Sequence, residues 1–232
     1  MKKPGLIGGI GPESSIEYYR TIIKCFREKA KTDDYPEILM LSINMTEMLN
    51  RVFNKQYDQL VDFLSSKIRI LEDAGADFAV LASNTPHIVF KELKEKVNIP
   101  MISIVDAAIE RIKHSGIEKT ALFGTKSTMT GDFYKQAAQN YGIEVVIPGT
   151  EDMEFIHSKY MSELIFNNIV PETKKKLIAI VSALKQSTSI EGLILGGTEL
   201  PLILDQTDFK DIQLFDTTTI HVETIVDAML KK

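Results

Sequence analysis

Two short apolar runs, each stopping abruptly in small, hydroxyl and acidic or imidazole residues, constrain this chain more than any other feature. The first is Phe78-Ala79-Val80-Leu81-Ala82-Ser83-Asn84-Thr85-Pro86-His87; the second begins 114 residues later and reads Gly192-Leu193-Ile194-Leu195-Gly196-Gly197-Thr198-Glu199-Leu200-Pro201. A brief, unbroken apolar run suits a strand covered on both faces, as in a parallel sheet. Polar residues at the end of such a strand suit a ligand site, because open parallel sheets bind ligands outside the carboxyl ends of their strands. The predicted fold is therefore α/β, with two similar doubly wound parallel-sheet domains and the active site in the cleft between them.

Length agrees with that plan. The chain has 232 residues, 44% of them hydrophobic, so each half, of roughly 110 residues, can bury its own core. The predicted domains are residues 1–105 together with 210–232, and residues 106–209. In the first, strands are expected near residues 5–7, 38–44, 78–82 and 99–104. Residues 38–44 are nearly all apolar and are predicted to be covered on both faces. Leu60, Val61, Leu64, Ile68 and Leu71 recur at helical spacing up to a stop at Gly75, and a helix over about 86–97 starts at Pro86, which suits a first turn. In the second half, strands are expected near 120–124, 143–147, 192–196 and 213–215, with a pair of helices over 152–186 and a closing helix to Met229.

Several function classes are excluded or disfavoured. The net charge of -5 is spread along the chain, so no basic patch points to nucleic acid. No run approaches the ~18 apolar residues of a membrane span, and glycines arrive too early for a signal-peptide core, so no membrane partner and a cytoplasmic location are expected. The single cysteine, Cys25, rules out an intramolecular disulfide and reads as a buried apolar thiol. Gly8, Gly9 and Gly11 lack the GxGxxG spacing, and Pro12 follows them, which argues against a dinucleotide site. Ser14 and Ser15 are candidate caps for the following helix. Four histidines without HxxxH or HExxH spacing, and no lysine in a Schiff-base setting, lead us to expect neither a metal nor pyridoxal phosphate.

With Asn84, Thr85 and His87 after the first strand and Gly196, Thr198 and Glu199 after the second, the chain resembles the aspartate/glutamate racemase family over nearly its whole length. The resemblance implies a cofactor-independent enzyme, a small acidic amino acid as partner, and a homodimer. It places catalytic groups at Ser83 and Gly197, where family members typically carry cysteine. It also implies substrate-binding roles for Gly11 in the glycine turn, for Thr125 and Thr128 in the Gly-Thr-x-x-Thr-Met loop, and for Asn84, Thr85, Thr198 and Glu199. Thr130 or Ser127 can equally serve that loop as a helix cap. Arg51 can take a distal carboxylate or remain a solvated arginine. Lys159 lies just before the segment in which the family often has an assisting lysine.

Racemisation removes the α-proton from one face of the carbon and returns one to the other. Thiols suit the work when neighbours lower their pKa, and fixed donors must stabilise the developing enolate oxygens. Ser83 needs an adjacent base, for which His87 and His221 are the supporting candidates; either histidine can instead merely tie a loop carbonyl. Glu199 can orient a base or an ammonium group, or only complement a helix start. Gly197 has no side chain, so this pair excludes a symmetrical two-base mechanism. Three functions fit: a racemase of aspartate or glutamate, slow as the pair stands; a non-catalytic acidic-ligand binding protein derived from racemases; or a decarboxylase-like or hydrolytic enzyme using an enolate. On the first, Gly197→Cys should raise turnover by orders of magnitude with little change in affinity.

Overall fold

The computed structural model describes residues 1–231. In chain order the elements begin β1 (Pro4–Gly8), α1 (Pro12–Ala30), β2 (Leu39–Ser42), α2 (Met45–Phe53), α3 (Tyr57–Asp73), β3 (Phe78–Leu81), α4 (Phe90–Lys96), β4 (Met101–Ile102) and α5 (Ile104–Ser115). They continue with β5 (Lys119–Gly124), α6 (Lys126–Thr130), α7 (Phe133–Gln139), β6 (Glu144–Val146), α8 (Thr150–Ser162), α9 (Pro171–Thr188), β7 (Gly192–Gly196), β8 (Gln213–Asp216) and α10 (Thr217–Leu230). The chain divides into two compact units, Met1–Ile104 with the stretch from Thr218 onward, and Val105–Thr217.

In the first unit a four-stranded parallel sheet has the order β2-β1-β3-β4. Side chains alternate across it. Leu6, Phe78 and Val80 join Tyr18, Ile22 and Phe26 of α1 and Val222, Ile225, Val226 and Met229 of α10 in one buried cluster. Ile7, Ala79 and Leu81 join Leu60, Leu64, Ile68 and Leu71 of α3 in another. Each large side chain buried this way contributes about 1.5–3 kcal/mol, which is why α10 is drawn back from the end of the chain. Cys25 packs against the α1/α10 cluster but is only half-buried, less enclosed than expected. The strand predicted over 38–44 is shorter, and its residues alternate between half-buried and exposed. It is an edge strand, and its apolar composition does not reflect cover on both faces.

The second unit repeats the plan with the order β6-β5-β7-β8, again all parallel. The boundary expected at residue 210 leaves Gln213–Asp216 with the first domain; its register instead pairs Leu193 with Leu214 and Ile194 with Phe215 in the second sheet. The ends of β5 and β7 meet glycine to glycine, Gly124 opposite Gly196. A Cβ on Gly124 would lie 2.6 Å from the Gly196 carbonyl oxygen, and one on Gly196 would lie 2.9 Å from that of Phe123. Neither strand end tolerates a side chain.

In both sheets the chain steps from its first strand to one side and then returns to the other. The reversals fall between β1 and β3 and between β5 and β7, and such switch points are where open parallel sheets hold ligands. No helix among the described residues is long and apolar enough to cross a membrane.

Candidate functional site

At the first switch point, β1 gives way to a glycine loop in which Gly9 and Gly11 hold φ of 79° and 80°, a region that favours glycine. Pro12 takes the first turn of α1, so Gly11 stands at the N-cap and neither serine caps the helix. Ser15 instead accepts from the Gly9 N–H at 2.7 Å and donates to the Gly11 carbonyl at 3.4 Å, which pins the loop from below. After β3, Ser83, Asn84 and Thr85 are all buried. The helix expected from Pro86 begins as a tight 3-10 turn over Thr85–Val89 and becomes α-helical only at Phe90. The His87 N–H bonds the Asn84 carbonyl at 3.0 Å, a three-residue closure that sets this turn.

His87 and His221 are both fully engaged. His87 Nδ1 donates to the Ser83 carbonyl at 3.0 Å and Nε2 accepts from the Ile104 N–H at 3.3 Å, while the ring stacks on Phe90 with centroids 4.8 Å apart. His221 has the opposite tautomer: Nδ1 accepts from the Tyr18 hydroxyl at 2.8 Å and Nε2 donates to the Ile102 carbonyl at 3.2 Å. Burial pushes His87 down to about 3, with help from the neighbouring His221, and pushes His221 down to about 4. They are neutral braces tying β3, β4 and α10 together. Of the two roles open to them from sequence, the hydrogen bonds match the one in which each ties a loop carbonyl, which leaves neither ring nitrogen turned to the Ser83 hydroxyl. Removing one partner should show the brace directly: Tyr18→Phe leaves His221 Nδ1 buried without its donor and is expected to cost about 1–3 kcal/mol in urea unfolding; an unchanged midpoint would contradict it.

Arg51 lies at the end of α2. Its Nη1 donates to the Glu47 carbonyl at 2.7 Å, and its guanidinium sits 4.5 Å over the Phe63 ring. It is folded onto α2 and α3, so it would have to leave these contacts to take a carboxylate.

At the second switch point Thr125 is the N-cap of α6, accepting from the Thr128 N–H at 3.2 Å, and the two hydroxyls meet at 3.0 Å. The caps expected of Thr130 or Ser127 are absent from this role; Thr130 bonds back to the Lys126 carbonyl at 2.8 Å. After β7, Gly197 is followed by buried Thr198 and Glu199. Glu199 Oε2 accepts from the Thr198 hydroxyl at 2.9 Å and from the Tyr160 hydroxyl. Tyr160 comes from α8, where Met153, Ile156 and Tyr160 form its buried side. Burial, and then Glu199, push its phenol well above its ordinary value. Lys159, next to it, turns away to Glu163 at 2.5 Å.

Residues 7–225 match the family model described as Asp/Glu/Hydantoin racemase. The chain belongs to that family. Its structure superposes on that of an aspartate racemase homologue from Pyrococcus horikoshii OT3 with a TM-score of 0.86 and 38% identity, each chain covered in full. An aspartate racemase from Picrophilus torridus, 23% identical, shares the fold with a TM-score of 0.79 over 100% of this chain and 96% of its own. Among curated sequences, the broad specificity amino-acid racemase RacX of Bacillus subtilis is 27% identical over 61% of this chain and 63% of its own length. The matched stretches span less than two thirds of these curated relatives, 61–63% of their lengths.

For a member of a racemase family, the surroundings of Gly197 matter most. A Cβ built there would overlap Tyr160 Cε2 and lie 3.0 Å from both Cζ and the hydroxyl oxygen. The glycine is therefore not an empty position waiting for a thiol. A tyrosine ring, held by Glu199, already fills the direction in which a side chain at 197 would point. The expectation that Gly197→Cys alone restores a thiol is corrected accordingly: the new side chain must first displace a buried, hydrogen-bonded ring. Nothing in the sequence marks Tyr160 as functional, because its spacing with Met153 and Ile156 reads as the core face of a helix.

Proposed function

We propose that this protein moves the α-proton of an acidic amino acid, aspartate in the first place and glutamate in the second, without pyridoxal phosphate or a metal, as a slow racemase. What carries the reading is the placement of the two polar strand ends, Ser83-Asn84-Thr85 and Gly197-Thr198-Glu199, at the switch points of two sheets in a chain of the racemase family. In this reading the Asn84, Thr85, Thr125, Thr128 and Thr198 side chains and nearby backbone N–H groups bind the α-carboxylate and ammonium groups and stabilise the enolate-like oxygens as the C–H bond breaks. Gly11 belongs to the glycine loop after β1, at the same switch point as Asn84 and Thr85. Ser83 contributes a hydroxyl without a histidine base, so the rate is low. The working form is a homodimer.

The likeness to an aspartate racemase homologue, over the whole of both chains, supports aspartate as the first ligand to try. In deuterium oxide with L- or D-aspartate, loss of the Cα proton signal in NMR is expected for at least one enantiomer, with slower change of circular dichroism. The packed Tyr160 ring at Gly197 favours a second reading, a binding protein that has filled one base position. Saturable aspartate binding by calorimetry with no deuterium uptake would establish that reading and sink the first.

A further inference from the structure

The geometry points to Tyr160 and Glu199 as the acid/base pair on the Gly197 side of the site, with the tyrosine hydroxyl standing where residue 197 offers no group of its own. The inference rests on the reading of the chain as a catalyst of α-proton transfer and names a group that performs it.

Four observations meet at one place. Gly197 ends β7 at a switch point, and the space its side chain would enter is occupied by the functional end of Tyr160. That end is polar: the hydroxyl donates to Glu199 Oε2. The same carboxylate oxygen is held by Thr198 at 2.9 Å, so its position is fixed from two sides. Tyr160 is also buried, so the phenol and carboxylate face each other with little water, where a hydrogen bond to a charged group is at its strongest. A structural tyrosine needs only one partner for its hydroxyl. This one is given a carboxylate, a group able to take its proton.

The step balances without any further reactant. The Cα–H bond breaks and its electron pair passes into the α-carboxylate as an enediolate. Its proton goes to the Tyr160 oxygen while the Tyr160 proton passes to Glu199. In the return step Tyr160 gives a proton to Cα and recovers one from Glu199, and the enediolate collapses to the carboxylate. Solvent deuterium enters when Glu199 has exchanged its proton with the solvent and the Tyr160 hydroxyl then trades its own proton with Glu199 before the return. Because Ser83 has no histidine base, one competent pair mostly returns the proton to the face it left. Exchange at Cα should therefore outrun inversion, by about 10-fold or more.

The test follows both rates for L- and D-aspartate in deuterium oxide, by NMR for exchange and circular dichroism for inversion, with calorimetry for aspartate affinity. Tyr160→Phe keeps the ring and removes the relay; exchange is expected to fall by about 10²- to 10⁴-fold with affinity changed no more than a few-fold. Glu199→Gln keeps a group of the same shape beside the tyrosine but cannot take its proton. It should lose exchange similarly with aspartate affinity held within a few-fold, a loss of rate without loss of binding that a merely structural role would not give. Should Tyr160→Phe fail to fold, Glu199→Gln decides. Wild-type exchange retained in a folded variant that still binds would overturn the relay and leave the racemase reading standing. Binding of aspartate by the wild type with no exchange at all would overturn both.

Discussion

Lowering the pH from 7 to about 4.5 is expected to remove about 5 kcal/mol of this protein's stability through His87 and His221 alone. Their folded values of about 3 and about 4 lie below the ordinary histidine value, because both rings are buried and neutral. By about pH 5 the unfolded chain has bound two protons that the folded chain refuses. The contribution is therefore intact above the ordinary value of about 6.5 and is lost as the pH falls below it, at about 1.4 kcal/mol per pH unit for each histidine. The loss continues until the medium reaches the folded values, when the rings finally charge. Against a total stability of about 5–15 kcal/mol, that is a large share. Protonation also breaks specific bonds, since His221 Nδ1 could no longer accept from Tyr18 nor His87 Nε2 from Ile104. Urea midpoints measured between pH 7 and 5 should fall steeply in the wild type, and His221→Gln should roughly halve the slope. A midpoint indifferent to pH over that range would refute the neutral-brace account.

These two histidines show what a sequence discloses and what it withholds. The apolar runs at Phe78 and Gly192 announce parallel strands, because a strand covered on both faces favours so uniformly apolar a run, and the two parallel sheets agree. The same logic misreads β2, whose apolar residues lie at a sheet edge with one side open. Composition reports how a strand would like to be covered, and topology decides whether it is. The boundary near residue 210 fails for a related reason: the register that gives β8 to the second sheet lies in pairings with β7, and nothing local to Gln213–Asp216 reveals the partner. His87 and His221 look like supporting bases because they stand beside polar strand ends. Only the distances to the Ser83 and Ile102 carbonyls show that their nitrogens are already committed. Tyr160 is the sharpest case. It lies 37 residues before Gly197 on a helix face whose spacing reads as core, and it becomes chemical only when the fold places its hydroxyl on Glu199.

Gly197→Cys alone is expected to give no gain in aspartate turnover, whereas Gly197→Cys combined with Tyr160→Ala should exceed Tyr160→Ala by about 10²- to 10⁴-fold, the usual worth of a positioned acid/base group. In the single variant the added Cβ overlaps the Tyr160 ring and comes 3.0 Å from its hydroxyl. Relief requires swinging a buried ring off Glu199, which leaves that carboxylate short of a donor, and overpacking of this kind typically costs about 1–3 kcal/mol. The variant thus loses the tyrosine's alignment without gaining a freely placed thiol, and its thermal midpoint should drop with its rate. Tyr160→Ala clears the space. The new thiol then stands beside Thr198 and Glu199 with room to adopt a rotamer aimed at substrate, and a thiolate is a better base than a phenol held well above its ordinary value. Circular-dichroism racemisation of both enantiomers by the wild type, both single variants and the double variant forms a cycle, and strong non-additivity between positions 160 and 197 is its signature. If the double variant folds, binds aspartate and still does not outpace Tyr160→Ala, then the strand end at Gly197 is not the place where the α-carbon meets its base, and the binding-protein reading takes over.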